Sequence, residues 1–305
     1  MPGQGSRLHA PVADRQAAWT DRLPPRWRDF AVLARWDRPI GTWLLLLPCW
    51  WGLALADSLP NPWLLPLFAI GAVAMRGAGC TINDLADREF DRRVERTRNR
   101  PLAAGRVGTR EALLVVAAQC LVGLMVLTAL NWTAVLIALA SVPLIVAYPF
   151  MKRITWWPQA FLGITFNWGV LVGYAQATGS LDWPVLAVYL AGICWTLGYD
   201  TIYALQDKED DALIGVRSTA LLFGDAVPIW VTGFYLATLA LLLAGGVAAG
   251  KGIVFVLGLV PVVWLLLRQV VDLRTADPAE CLRRFRANRD VGLAVFAVLL
   301  LGSLA

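Results

Sequence analysis

Histidine is almost missing from this chain: His9 is the only one in 305 residues. It lies in the arginine-rich N-terminal stretch, so no histidine is available as a general base. Charge is scarce too. Charged residues make up 16% of the sequence, against about 25% in soluble domains. The five cysteines, at positions 49, 80, 120, 194 and 281, have no metal-ligand spacing and mostly fall in apolar runs, where a small buried hydrophobe is the default. A cleavable signal peptide is not expected, because residues 1–38 are rich in Arg and Pro and have no apolar core. No nucleotide-binding glycine pattern, low-complexity tract or separate soluble domain is visible. The net charge of +5 does not call for nucleic acid, since membrane topology accounts for it.

What is abundant is apolar sequence: 58% of residues are hydrophobic and the mean hydropathy is +0.60. Runs of about 20 residues, the length that spans a bilayer, occupy roughly 39–56, 63–86, 110–130, 132–150, 156–178, 184–206, 227–249, 252–271 and 290–305. The expected fold is therefore an all-α membrane protein with nine transmembrane helices. Residues 1–37 form an N-terminal cytoplasmic or interfacial arm, and 38–305 a single transmembrane domain. Pro48, Pro66, Pro143 and Pro261 lie within runs and are expected to kink them without breaking them. Of the 27 basic residues, all but Arg76 and Lys251 fall in the N-terminal arm or in alternate loops. By the positive-inside rule this places the N-terminus and those loops in the cytoplasm, as for a multi-pass protein of a bacterial inner membrane. The outer loops are short, with Asp57, Asp182 and Lys251 as their charges. Trp63, Trp132, Trp156, Trp157 and Trp183 lie near span ends, as an interfacial belt.

Two acidic stretches stand out, each just past an apolar run and both on the cytoplasmic side. In Asn83-Asp84-Leu85-Ala86-Asp87-Arg88-Glu89-Phe90-Asp91, helical spacing puts Asn83, Asp87 and Asp91 on one face. In Tyr199-Asp200-Thr201-Ile202-Tyr203-Ala204-Leu205-Gln206-Asp207-Lys208-Glu209-Asp210-Asp211, Asp207 and Asp211 repeat the pair. Stacked carboxylates repel unless a cation lies between them, and oxygen ligands at this spacing suit Mg²⁺. Four aspartates, about three charges on a diphosphate and two Mg²⁺ leave a remainder for cationic side chains. Arg38, Arg76, Lys152 and Arg153 are the candidates. Arg76 is an arginine inside a span, which marks function by default. At membrane level the natural anion is a lipid diphosphate. Its allylic group can ionise to a carbocation that aromatic faces such as Tyr199, Tyr203, Tyr174, Phe166 or Trp168 would stabilise. A cation-coupled transporter is the competing class. Transporters place intramembrane acids near the midplane, whereas these acids cluster at one end beside basic loops.

The first stretch, continued by Arg96-Thr97-Arg98-Asn99-Arg100-Pro101-Leu102, resembles the first signature of the UbiA superfamily of intramembrane aromatic prenyltransferases. The second, continued by Ile214-Gly215 and Ser218-Thr219, resembles its second signature. Asp37-Arg38-Pro39-Ile40-Gly41, Met75-Arg76 with Gly79-Cys80, and Tyr148-Pro149-Phe150-Met151-Lys152-Arg153 are similar to members acting on 4-hydroxybenzoate in ubiquinone biosynthesis. The resemblance covers about residues 36–300. It implies nine helices around a central cavity, dependence on Mg²⁺, and two substrates, a polyprenyl diphosphate and 4-hydroxybenzoate. Homogentisate, a naphthoate or haem are the other acceptors of the superfamily. The resemblance further implies that Asn83, Asp87, Asp91, Asp207 and Asp211 hold the metal-diphosphate, with the four aspartates carrying catalysis. Lys152 and Arg153 would contact diphosphate or the benzoate carboxylate. Arg38, Arg76, Tyr199, Asp200 and Tyr203 complete the expected substrate-binding set. Glu209 and Asp210 precede Asp211, so the chelating acid there could shift by one position.

Overall fold

A computed structural model describes residues 19–56, 60–94, 97–271, 273 and 277–303. His9, Asp57 and Arg96, and the arm up to residue 18, lie outside the described residues. Among the described residues the secondary structure is helical throughout, without strands. In chain order the helices are α1 (Pro25–Leu33), α2 (Ile40–Ala56), α3 (Leu64–Ala86), α4 (Arg88–Asp91), α5 (Thr109–Leu127), α6 (Trp132–Ala140) and α7 (Val142–Ile154). They continue with α8 (Pro158–Thr178), α9 (Trp183–Ala204), α10 (Lys208–Ile214), α11 (Thr219–Phe223), α12 (Val227–Ala248), α13 (Ile253–Val270) and α14 (Pro278–Leu301).

Each expected apolar run is helical over most of its described residues. Six segments among the described residues are long and apolar enough to cross a membrane: α3, α5, Trp132–Ile154, Trp183–Asp207, Thr219–Ala248 and α13. Multiple segments of this kind make the chain an integral membrane protein. Helix α2 is apolar but has 17 residues. Helix α8 carries Gln159, Asn167 and Gln176. Helix α14 starts at Pro278, well before the expected run, because its first half is charged. Pro143 does more than kink its run. It stands in the first turn of α7, has no N–H to give the preceding turn, and separates α6 from α7 at Ser141. Pro48 and Pro261 stay within their helices.

The chain divides into two compact units, one of residues up to Thr42 with Ala69–Thr128 and one of Trp43–Phe68 with Ala129 onward. In the second unit α9 is the inner helix. Two thirds of its apolar window is buried (67%), against 11% for Trp132–Ile154, so the latter presents its apolar face outward. At mid-α9, Trp195 donates to Asn288 Oδ1 at 2.8 Å. Asn288 and Gln269 exchange hydrogen bonds at 3.0 and 3.2 Å, and Tyr235 donates to Gln269 at 2.8 Å. This buried network stitches α9, α12, α13 and α14. Each interhelical bond of this kind contributes on the order of 0.6 kcal/mol. Trp51 adds a bond to the Gly292 carbonyl at 2.8 Å and packs its ring 4.9 Å from Trp195.

Helices α2 and α8 meet backbone to backbone within this unit. A Cβ on Gly52 would collide with the Val170 carbonyl, and one on Gly173 with the Cys49 carbonyl. Small residues at such a crossing are what allow helices without a hydrophobic drive between them to pack.

In the first unit, Leu33 of α1, Leu102 and Val107 of the loop before α5, and Ala112 of α5 form a buried core, with Phe30 and Leu85 against it. Arg106 pairs with Asp29 at 3.0 Å and donates to the Asn99 carbonyl at 2.9 Å, which holds the loop after the first acidic stretch on α1.

Gly52→Ala and Gly173→Ala should each lower stability by about 1–3 kcal/mol through overpacking, visible as a lower Tm in detergent. Gly79→Ala, where an added Cβ meets nothing within 4 Å, should not. Equal Tm values for all three would contradict the close approach.

Candidate active site at the two acidic motifs

Both motifs are built the same way. Helix α3 runs to Ala86, then Asp87 takes φ −98°, ψ 3° and α4 begins. Helix α9 runs to Ala204, a short 3-10 turn covers Leu205–Asp207, and Asp207 takes φ −107°, ψ 6° before α10. Each leading aspartate therefore sits in the sparsely populated bridge region, where many active-site residues are found. The break at Asp87 does not lose the helical register. Asp87 N–H donates to the Asn83 carbonyl at 2.9 Å and Asp91 N–H to the Asp87 carbonyl at 2.8 Å, so the one-face expectation holds through the junction.

In the first unit, Asp84, Asp87 and Asp91 are 0%, 1% and 7% exposed. Carboxylates this buried need cations or donors. Asp84 Oδ1 receives Arg35 Nη2 at 2.6 Å and Arg100 Nη1 at 3.1 Å, and the same Arg100 Nη1 lies 2.8 Å from Asp91 Oδ2. Burial pushes the Asp91 carboxyl above the ordinary aspartate range, while Arg100 pulls it back. Thr97 donates its hydroxyl to the Asp91 carbonyl at 3.0 Å.

Arg35 is the residue sequence reasoning missed. It is buried, and at φ 60° it is the one non-glycine with positive φ among the described residues. A bulky residue in that conformation costs of order 1–3 kcal/mol, and such strain clusters at functional sites. A run of seven N-terminal arginines gave no signal for which one would be buried. Arg38 lies 3.3 Å from Asp37. Arg76 lies over Gly41. A Cβ there would come within 2.5 Å of Arg76 Nε, so the glycine of the Asp37–Gly41 stretch leaves room for the intramembrane guanidinium.

In the second unit, Asp207, Asp211 and Asp200 are half-buried. Gly215, at φ 74°, caps α10 and donates to the Asp211 carbonyl. Arg217 ties the following loop to the end of α7. Its N–H donates to the Lys152 carbonyl at 2.9 Å, its Nη1 to the Ile154 carbonyl at 2.7 Å, and its guanidinium lies 5.5 Å over the Trp156 ring. Lys152 and Arg153 occupy the last turn of α7, where cations complement the helix dipole. The structure thus brings the Lys152–Arg153 segment beside the second motif's downstream loop. Thr201 and Thr219 share a 2.6 Å hydroxyl contact, and Gln159 accepts from Thr219 N–H at 3.1 Å.

The aromatic candidates separate by environment. Tyr199 is fully buried, with its ring 5.0 Å from Trp195 and 5.7 Å from Phe285. Tyr203 is half-exposed against Phe285 at 4.4 Å. Tyr174 is held by Asp182 at 3.0 Å, and Trp168 by the Ile137 carbonyl at 2.8 Å.

Among the described residues no three His, Cys, Asp or Glu side chains gather closely enough to hold a metal by themselves. A hard cation such as Mg²⁺ does not require that. It is bound through one or two carboxylates, with waters and substrate phosphates completing the shell. The residues present fit it: the donors are all oxygen, and Asp84 Oδ2 is a buried carboxylate oxygen without a hydrogen-bond partner.

Residues 45–299 match the model of the UbiA prenyltransferase family. The chain belongs to that family. It is 46% identical over 99% of its length, and 82% of the relative's, to a protein named mitochondrial 4-hydroxybenzoate polyprenyltransferase from Bos taurus. The Homo sapiens protein of that name is 44% identical over 94% of this chain and 79% of its own. Among solved structures, the apo form of a UbiA homologue from Aeropyrum pernix K1 superposes with a TM-score of 0.73 at 28% identity, covering 85% of this chain and 97% of that one. A UbiA homologue from Archaeoglobus fulgidus bound to GPP and Mg²⁺ shares the fold at a TM-score of 0.69 and 18% identity, covering 91% of this chain and all of that one (100%). The similar proteins are named as mitochondrial, which does not match the expected bacterial inner membrane.

Proposed function

We propose that this UbiA-family chain transfers a polyprenyl group from a polyprenyl diphosphate to the ring carbon of 4-hydroxybenzoate ortho to its hydroxyl, releasing diphosphate, as a step of ubiquinone biosynthesis. The donor's allylic C–O bond breaks, a C–C bond forms at the ring, and the displaced ring proton leaves. The observation that carries the reading is the pair of alike helix ends. Each has an aspartate in the bridge region that closes an apolar helix and starts a second, acidic one. The relatives' names supply the acceptor.

Asn83, Asp87 and Asp91 of the first motif and Asp207 and Asp211 of the second would hold Mg²⁺. When bound, Mg²⁺ neutralises charge on the phosphoryl oxygens of the leaving diphosphate. Lys152, Arg153 and Arg38 supply further positive charge toward donor or acceptor. Arg76, seated over Gly41, is a cation at membrane depth suited to a carboxylate, which is costly there unpaired. A planar guanidinium can grip a carboxylate with two bonds. Tyr203, half-exposed, is better placed to offer a ring face to an allylic cation than Tyr199, whose ring is packed among aromatics. Asp200 supports the second motif from one turn before Tyr203. Without a histidine in the body of the chain, the ring proton passes to a carboxylate, to water or to the departing diphosphate.

The finer architecture is part of this proposal: nine spans in one transmembrane domain, with the N-terminus and both motifs on the side rich in basic residues. In a bacterial inner membrane that side is the cytoplasm; in a mitochondrial membrane it is the corresponding face.

Alanine at Asp87, Asp91, Asp207 or Asp211 should reduce turnover in membranes by at least about a hundredfold, near 2.7 kcal/mol, with insertion unchanged. Near-normal turnover in any two would contradict the shared role. A cysteine at exposed Asp182 should react with a membrane-impermeant maleimide added from outside. Reaction only from the cytoplasmic side would overturn the topology.

A further inference from the structure

Arg100 makes an unusual contact. Arginine–carboxylate pairs are frequently held by two parallel bonds to one carboxylate. Here a single atom, Nη1, serves both Asp91 Oδ2 at 2.8 Å and Asp84 Oδ1 at 3.1 Å. Its Nε is buried and has no hydrogen-bond partner. Asp84 does not depend on Arg100, because Arg35 holds the same oxygen more closely, at 2.6 Å. Arg35 in turn is fixed by its Nη1 bond to the Val32 carbonyl at 3.1 Å and by its constrained backbone. Asp91 Oδ2, by contrast, has Arg100 as its ion-pair partner. Two arginines balance Asp84 and Asp91, one firmly placed and one bound through a single nitrogen.

We propose that Arg100 holds the place of the metal on Asp91 and is exchanged for Mg²⁺, its guanidinium then passing to the diphosphate that arrives with the metal. The inference rests on the metal-diphosphate reading of the site given above. Its logic is electrostatic. A carboxylate this buried is costly without a cation, so Asp91 needs one before the metal comes. Once Mg²⁺ covers Asp91, the Arg100 charge is surplus there and is needed by a trianionic diphosphate, for which a guanidinium is a strong partner. Arg35 makes the exchange possible, since it leaves Asp84 neutralised when Arg100 departs.

The exchange predicts opposite effects of one substitution on two ligands. Isothermal titration of the purified chain with Mg²⁺ alone, and with Mg²⁺ plus geranyl diphosphate while 4-hydroxybenzoate is withheld, separates them. Arg100→Gln removes the competing charge. It should bind Mg²⁺ alone roughly tenfold more tightly than the parent and Mg²⁺ with geranyl diphosphate roughly tenfold more weakly. Should that variant fail to fold, Arg100→Lys carries the same test. A lysine ammonium is more strongly hydrated and less suited to bridging two carboxylates, so Mg²⁺ alone should still bind more tightly. Mg²⁺ affinity equal to the parent's, or weaker, in both variants would make Arg100 a structural brace and overturn the exchange. If the parent shows no Mg²⁺ heat even with geranyl diphosphate, the metal reading itself fails and the exchange with it. Tighter Mg²⁺ binding with a weaker diphosphate complex supports both.

Discussion

A carboxylate cannot stay ionised in hydrocarbon without a cation, and the chain is arranged around that constraint. Two of its long apolar helices, α3 and α9, end within the acidic motifs. Asp87 and Asp207 both stand at the junction of a long apolar helix and a short acidic one, in the same backbone conformation. In the first unit the cost of burying Asp84 and Asp91 is met by Arg35 and Arg100. Leu102 and Val107 anchor the loop that carries Arg100 in the core with Leu33. The apolar core and the ion cluster therefore support each other: the core fixes the loop, and the loop delivers the charge. Burying a leucine such as Leu102 contributes about 1.5–3 kcal/mol, comparable to the strain carried at Arg35.

The second unit meets a related constraint differently. Inside a bilayer, helices gain little from hydrophobicity toward one another. They are held instead by the Gly52 and Gly173 crossing of α2 and α8 and by the Trp195–Asn288–Gln269–Tyr235 network. That rigid frame ends at Tyr199 and Tyr203, both against Phe285 of α14, so the second motif begins on a fixed support. Arg217 then links the loop beyond that motif to the cations closing α7.

Much of this was legible in the sequence, and the omissions have physical causes. Apolar runs revealed the long helices because each backbone polar group in a bilayer must be paired within its own segment. The acidic motifs were legible because carboxylates at i and i+4 are unfavourable unless used. Gly41 was visible as part of a motif, but its reason, space for Arg76, needed coordinates. Arg35 was invisible. Nothing in a basic N-terminal stretch distinguishes an arginine with positive φ, because that conformation is imposed by the turn between α1 and α2 and by Asp84 from far along the chain. Arg100 was visible only as part of the stretch that continues the first acidic motif, because its bridge between Asp84 and Asp91 depends on how the loop folds back on them. The start of α14 was missed because its first two turns are charged, and apolar content was the only guide there.

The central claim is the reaction, and the product tests it most directly. Membranes containing the chain are given ring-labelled 4-hydroxybenzoate and a polyprenyl diphosphate, with and without Mg²⁺, and the product is identified by NMR. The account predicts a new carbon–carbon bond ortho to the phenol hydroxyl, formed only when Mg²⁺ is present. Prenylation at the carboxylate or hydroxyl oxygen, or the same product at the same rate after the metal has been chelated, would contradict it.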